Sequence, residues 1–155
     1  MIELWHSGFQ LNLGRLRRFV SAAKRAAGVH GEVGVRLMDD AAIRELNRKF
    51  RRKDAATDVL SFANGGQGGY LGDVAVSLDM AARQAGARRH GLEAEVSILL
   101  LHGLLHLAGY DHESDQGEME RQERALRGRL GLPTGLIERG SRGKIGGRGR
   151  GGRRA

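Results

Sequence analysis

Hydrophobic and polar positions alternate between two periods along the chain, and the period marks the elements. Ile2–Trp5 reads as a first strand. Over Asn12–Ala27, Leu13, Leu16, Phe19, Val20 and Ala23 recur at helical spacing, with Arg and Lys on the opposite face. Val33, Val35 and Leu37 alternate with small or polar residues, a strand pattern. Asp39 or Asp40 can cap the helix that follows, whose buried face is expected to hold Ile43, Leu46 and Phe50. Asp58–Phe62 and Gly72–Ser77 read as strands, joined through the glycine-rich Asn64–Gly69 as a loop or long hairpin connection. Leu78–Arg89 is helical in pattern. Glu93–Ala108 is a nearly all-apolar helix that stops at Gly109, a residue suited to a left-handed C-cap. Ser114 can cap a last helix that runs to about Leu130 and ends at Gly131 and Pro133.

These elements predict an α+β domain. About four strands form one small mixed sheet, packed with about five helices, and the nearly all-apolar helix lies buried at the centre. A chain of 155 residues fits a single domain. The apolar run Val96–Leu107 is interrupted by Ser97, His102 and His106 and is too short to span a bilayer. The N-terminal residues Met1-Ile2-Glu3 lack the basic and apolar pattern of a signal peptide.

The charge is unevenly placed. Residues 138–155 hold seven basic residues against Glu138, a net +6 of the chain's +8. The body over 1–137 is therefore close to neutral, and the high basicity belongs to an Arg/Gly-rich tail over 138–155. That composition cannot bury apolar surface and is expected to be disordered. It can act as a solubilising end, or it can bind RNA through phosphate charge. There is no cysteine, which excludes disulfides and cysteine-ligated metal and fits a cytoplasmic protein.

The candidate chemistry lies in His102-Gly-Leu-Leu-His106-Leu-Ala-Gly109-Tyr110-Asp111-His112. Residues i and i+4 share one face of a helix, so two imidazoles there can bind one metal ion. A histidine pair at this spacing is also common as core or surface residues. Burying two imidazoles in an apolar helix costs free energy unless they have partners, and that favours the metal. His112, just past the glycine stop, can swing back as a third ligand. Three neutral nitrogens leave a coordination position for water, whose pKa such an ion lowers toward ~7. Asp111 can orient an imidazole or cap the turn. A metallopeptidase of the His-Glu-x-x-His kind needs a glutamate after the first histidine, and this chain has Gly103. His6, His30 and His90 lack partners in pattern and read as surface residues. Thr57 and Ser61 show no activating neighbour for nucleophilic catalysis. Asp73 and Asp79, which flank a strand, read as turn or cap residues.

The histidine segment resembles the signature of the YbeY family of rRNA maturation factors, which are single-strand-specific metallo-endoribonucleases. Two upstream blocks are similar to the same family in the same order. One is Leu46-Asn47 with Phe50-Arg51-Arg52-Lys53-Asp54 and Thr57-Asp58-Val59-Leu60-Ser61-Phe62; the other is Leu71-Gly72-Asp73-Val74-Ala75-Val76-Ser77. The likeness spans roughly residues 30–130. Ala63 stands where the family often has proline. The resemblance implies a zinc-like ion (Zn2+) on His102, His106 and His112, and a functional arginine at Arg51. It implies single-stranded RNA as substrate, a role in 16S rRNA 3′-end maturation and ribosome quality control, and the small ribosomal subunit with its assembly factors as partners. Physically, Arg51 suits a clamp on a phosphodiester or on the charge of its transition state. The competing reading is a non-catalytic RNA-binding assembly factor in which the metal is structural.

Overall fold

The computed structural model describes residues 2–4, 8–111 and 113–134. The tail 138–155, Trp5, His6 and His112 lie outside them. Four strands, β1 (Ile2–Leu4), β2 (Glu32–Met38), β3 (Val59–Ala63) and β4 (Tyr70–Ser77), form one mixed sheet in the order β1-β2-β4-β3. The first three strands in that order run parallel, and β3 is antiparallel to β4 at the edge. Among the described residues five helices accompany it: α1 (Leu13–Ala27), α2 (Asp40–Arg51), α3 (Leu78–Arg88), α4 (Leu92–Leu107) and α5 (Glu118–Arg129). The expected α+β architecture is therefore present.

Period-2 alternation divides the sheet into two faces. Val33, Val35, Leu37, Val74 and Val76 meet α1, α3, α4 and α5 in the main core. Met38, Leu60 and Ala75 face the other way, toward Ile43 and Leu46 of α2. Most of the helix starts are capped as their sequences allow. Asn12, Asp39 and Ser77 each accept a hydrogen bond from the amide three residues on. The Asn64–Gly69 stretch is a hairpin connection between β3 and β4 that contains one 3-10 turn over Gln67–Gly69.

Three expectations are corrected. Phe50 is 54% exposed and is not part of the α2 core face. Asn47 takes the buried position next to the sheet, where its side-chain amide donates to the Ala55 carbonyl at 2.8 Å. Phe50 instead meets Phe62 of the edge strand β3, ring centroid to ring centroid at 5.5 Å. Ser114 does not cap the last helix, which begins at Glu118. The Asp115 carboxylate accepts from the Gly117 and Met119 amides instead, both at 2.9 Å, because the chain first turns around Asp111. Asp73 lies within β4 rather than beside it and accepts from the Tyr70 hydroxyl. Asp79 does act as a cap, but for a neighbour: it accepts from the Asp40 amide at the start of α2.

Candidate metal centre and the Arg51 edge

Helix α4 is buried on almost every side, with Val96 and Ile98–Leu101 in the core and Leu104 and Leu105 beyond them. Its one charged core residue is Glu95, fully buried and paired with Arg88 at 2.7 Å and with His90 Nε2 at 2.6 Å. His90, expected at the surface, is thus a mostly buried partner of a buried carboxylate. After Leu107 the chain leaves the helix through Gly109, whose φ of 104° is open to glycine at little cost.

His102 and His106 sit one turn apart near this end, with ring centroids 4.8 Å apart. The Nδ1 of His102 is 2.8 Å from the Glu123 carboxylate on α5, and the Nδ1 of His106 is 3.1 Å from the Tyr110 carbonyl. Burial pushes the Glu123 carboxyl up, but the His102 hydrogen bond and the Arg127 guanidinium at 2.6 Å outweigh it and hold the group below the usual carboxylate range. Glu123 is therefore an anionic acceptor, and a carbonyl can only accept. Each Nδ1 must carry the proton.

The consequence falls on the other two nitrogens. The Nε2 atoms of His102 and His106 face each other at 3.2 Å. Held in that orientation, the two rings turn both Nε2 atoms toward one point, where a single cation can take both. Two nitrogens bound to a tetrahedral ion at ~2.0–2.1 Å lie about 3.3 Å apart, so the pair fits the spacing of zinc ligands. Anchoring of each Nδ1 by an oxygen is the usual support for imidazole ligands. Among the described residues no third His, Cys, Asp or Glu completes a metal cluster, and the expected third ligand, His112, lies outside those residues. Asp111 caps its turn, accepting from the Glu113 amide and the Ser114 hydroxyl, each at 3.1 Å. The imidazole-orienting roles on His102 and His106 belong to Glu123 and Tyr110. Sequence reasoning missed Glu123, although the chain carries a signal for it. It falls on the same stripe of α5 as the buried Met119 and Leu126, with Arg127 one turn on.

Arg51 ends α2. Its guanidinium donates to the Ser61 carbonyl at 2.5 Å and lies 4.9 Å from the Phe62 ring centroid. The Ser61 hydroxyl donates to the Gly103 carbonyl at 3.1 Å. One edge-strand residue therefore connects the arginine to the histidine helix. Gly103 has no space for a side chain: a Cβ there would be 2.6 Å from Val74 Cγ1. The glutamate of a peptidase motif is thus excluded by packing as well as by sequence.

The Endoribonuclease YbeY family model matches residues 10–131. The chain is 52% identical over 124 residues to the Endoribonuclease YbeY of Koribacter versatilis, covering 80% of this chain and 81% of that protein. It is 50% identical over 124 residues to the Endoribonuclease YbeY of Solibacter usitatus, covering 80% and 83%. The solution structure of TM1509 from Thermotoga maritima is similar in fold, with a TM-score of 0.61 at 29% identity over 84% of this chain and 89% of that one. Among the described residues no helix is long and apolar enough to cross a membrane.

Proposed function

The chain belongs to the YbeY endoribonuclease family, and from that premise we propose that it is a single-strand-specific, metal-dependent endoribonuclease acting in 16S rRNA 3′-end maturation and ribosome quality control. It is an endoribonuclease, and so a hydrolase, by its high identity to the named relatives. The same proposal takes in metal dependence, a ribosomal substrate, small-subunit partners and a cytoplasmic location.

The observation that carries the metal is the facing of the two Nε2 atoms at 3.2 Å while both Nδ1 atoms are held by acceptors. His102 and His106, with His112 as third ligand, would hold a zinc-like ion. When bound, it supplies Lewis acidity toward a phosphoryl oxygen. Glu123 and the Tyr110 carbonyl fix the tautomer and tilt of the rings, so the donors are set before an ion arrives. Arg51 is tied through one guanidinium nitrogen to Ser61 and keeps further N–H donors for a phosphodiester. Its charge stabilises the extra negative charge that builds on the phosphate as the bond is cleaved.

The test is cleavage of a single-stranded 16S rRNA 3′ fragment by highly purified protein, beside Arg51→Ala and His106→Ala variants checked for folding and metal content. The reading requires activity in the wild type and its loss in both folded variants. Equal cleavage by all three would mark a contaminating nuclease. Binding without cleavage in every preparation would favour the non-catalytic assembly factor.

A further inference from the structure

The C-terminal end of α2 divides its cations into two groups. Arg44 is paired with Asp54, and Arg48 with Glu45. Among the described residues no carboxylate is in salt-bridge contact with Lys49, Arg51, Arg52 or Lys53. Phe50 lies in the middle of this unneutralised group. It is the most exposed large apolar side chain among the described residues. Its ring is not loose. It meets Phe62 edge to face at a centroid distance of 5.5 Å and a tilt of 67°, with Lys49 Nζ 5.4 Å from its own centroid.

A single exposed aromatic needs no explanation on an ordinary surface. Here it is braced by a second aromatic, with Lys49 over its own ring and Arg51 over that of Phe62, and neither cation is in salt-bridge contact with a carboxylate among the described residues. Flat apolar area beside unpaired positive charge complements a ligand that carries π-faces on a polyanionic backbone, which is an unpaired stretch of nucleic acid. The location agrees. Phe62 follows Ser61, the residue whose carbonyl holds Arg51 and whose hydroxyl reaches α4.

We infer that Phe50, braced by Phe62, is a nucleobase-stacking subsite that seats one unpaired base of the RNA next to the scissile region, with Lys49, Arg52 and Lys53 on the flanking phosphates. This inference rests on the endoribonuclease reading for its substrate class. It adds a position-specific base contact to a backbone clamp. A double-stranded substrate cannot supply that base, so the subsite selects for single strands.

The test is fluorescence-anisotropy binding of a short labelled single-stranded RNA to the full chain, under conditions in which gels show the RNA intact. Phe50→Leu and Phe50→Trp are compared with wild type, and the RNA is scanned with single abasic positions. Stacking energies imply an affinity loss of about 5- to 100-fold for Phe50→Leu and retention in Phe50→Trp. One abasic position must reproduce that loss and add nothing further in the Phe50→Leu protein. The salt dependence must keep its slope in Phe50→Leu and become shallower in Lys49→Ala. Phe50→Leu binding within twofold of wild type, or losses that add at every abasic position, overturns the subsite. Binding that behaves as described in a wild type that never cuts RNA leaves the subsite standing and removes the nuclease reading.

Discussion

Glu123 and His102 lie 21 positions apart in the chain and 2.8 Å apart in space, carboxylate to Nδ1. The pair joins the last helix to the histidine helix and fixes which nitrogen of His102 faces His106. Replacing Glu123 with Gln keeps an acceptor but removes its charge. The expected outcome is a zinc affinity lower by ~10–100-fold, measured by competition with a chromophoric chelator. An unchanged affinity would remove Glu123 from the metal centre.

Arg51→Lys is expected to behave as a loss rather than a conservative change. An ammonium cannot hold the Ser61 carbonyl, lie against Phe62 and still present a fork to a phosphate. We expect kcat/KM on single-stranded RNA to fall by ~100-fold or more in Arg51→Ala, and by a large part of that in Arg51→Lys. Thermal unfolding should change little, since the side chain is exposed. Full activity in Arg51→Lys would show that charge alone suffices.

Two glycine-to-alanine changes in helices are expected to have opposite signs. At Gly86 of α3 a Cβ would meet nothing within 4 Å, so alanine should stabilise by ~0.5–1 kcal/mol through helix propensity. At Gly103 of α4 the same methyl would press on Val74 at 2.6 Å and on Ser61 Oγ at 3.1 Å. Overpacking there costs ~1–3 kcal/mol, which exceeds the propensity gain. Urea titration of both variants decides it, and a stabilised Gly103→Ala would contradict the packing of α4 on β4.

Acid should weaken the junction between α2 and α3. Burial raises the Asp40 carboxyl, but hydrogen bonds from Ser77 and from Arg83, with the charge of Arg83, hold it below the ordinary carboxylate range. A depressed folded pKa means stability that is present above the unfolded value of ~3.9 and lost as pH falls through the folded one. Wild type should therefore exceed Asp40→Asn in stability near neutral pH, and the gap should close below about pH 4. A gap that is the same at pH 3 and pH 7 would show that Asp40 contributes by its shape alone.

The sequence made the elements legible where burial is one-sided. Val33, Val35 and Leu37 alternate because one face of β2 meets the main core. His102 and His106 were legible as a pair because helical spacing alone puts them together. Contacts across the fold were not. Glu123 is on the buried stripe of α5, but nothing local says that it meets an imidazole. His90 seemed unpartnered because its carboxylate, Glu95, lies inside the next helix. Phe50 is exposed where the pattern points to burial because apolar spacing does not register a buried amide: Asn47 holds the buried position by donating to the Ala55 carbonyl. Ser114 lost the cap to Asp115 because the turn around Asp111 delays the helix by several residues.

Helix α4 is enclosed by sheet and helices along nearly its whole length, so its backbone amides can meet water only when the domain opens as a whole. The two imidazoles proposed to hold a metal are thus mounted on what should be the slowest-exchanging segment among the described residues. Their spacing is part of the fold and does not wait for an ion. Binding energy at this centre is not consumed in ordering the helix, and chelation should leave its amide protection largely intact.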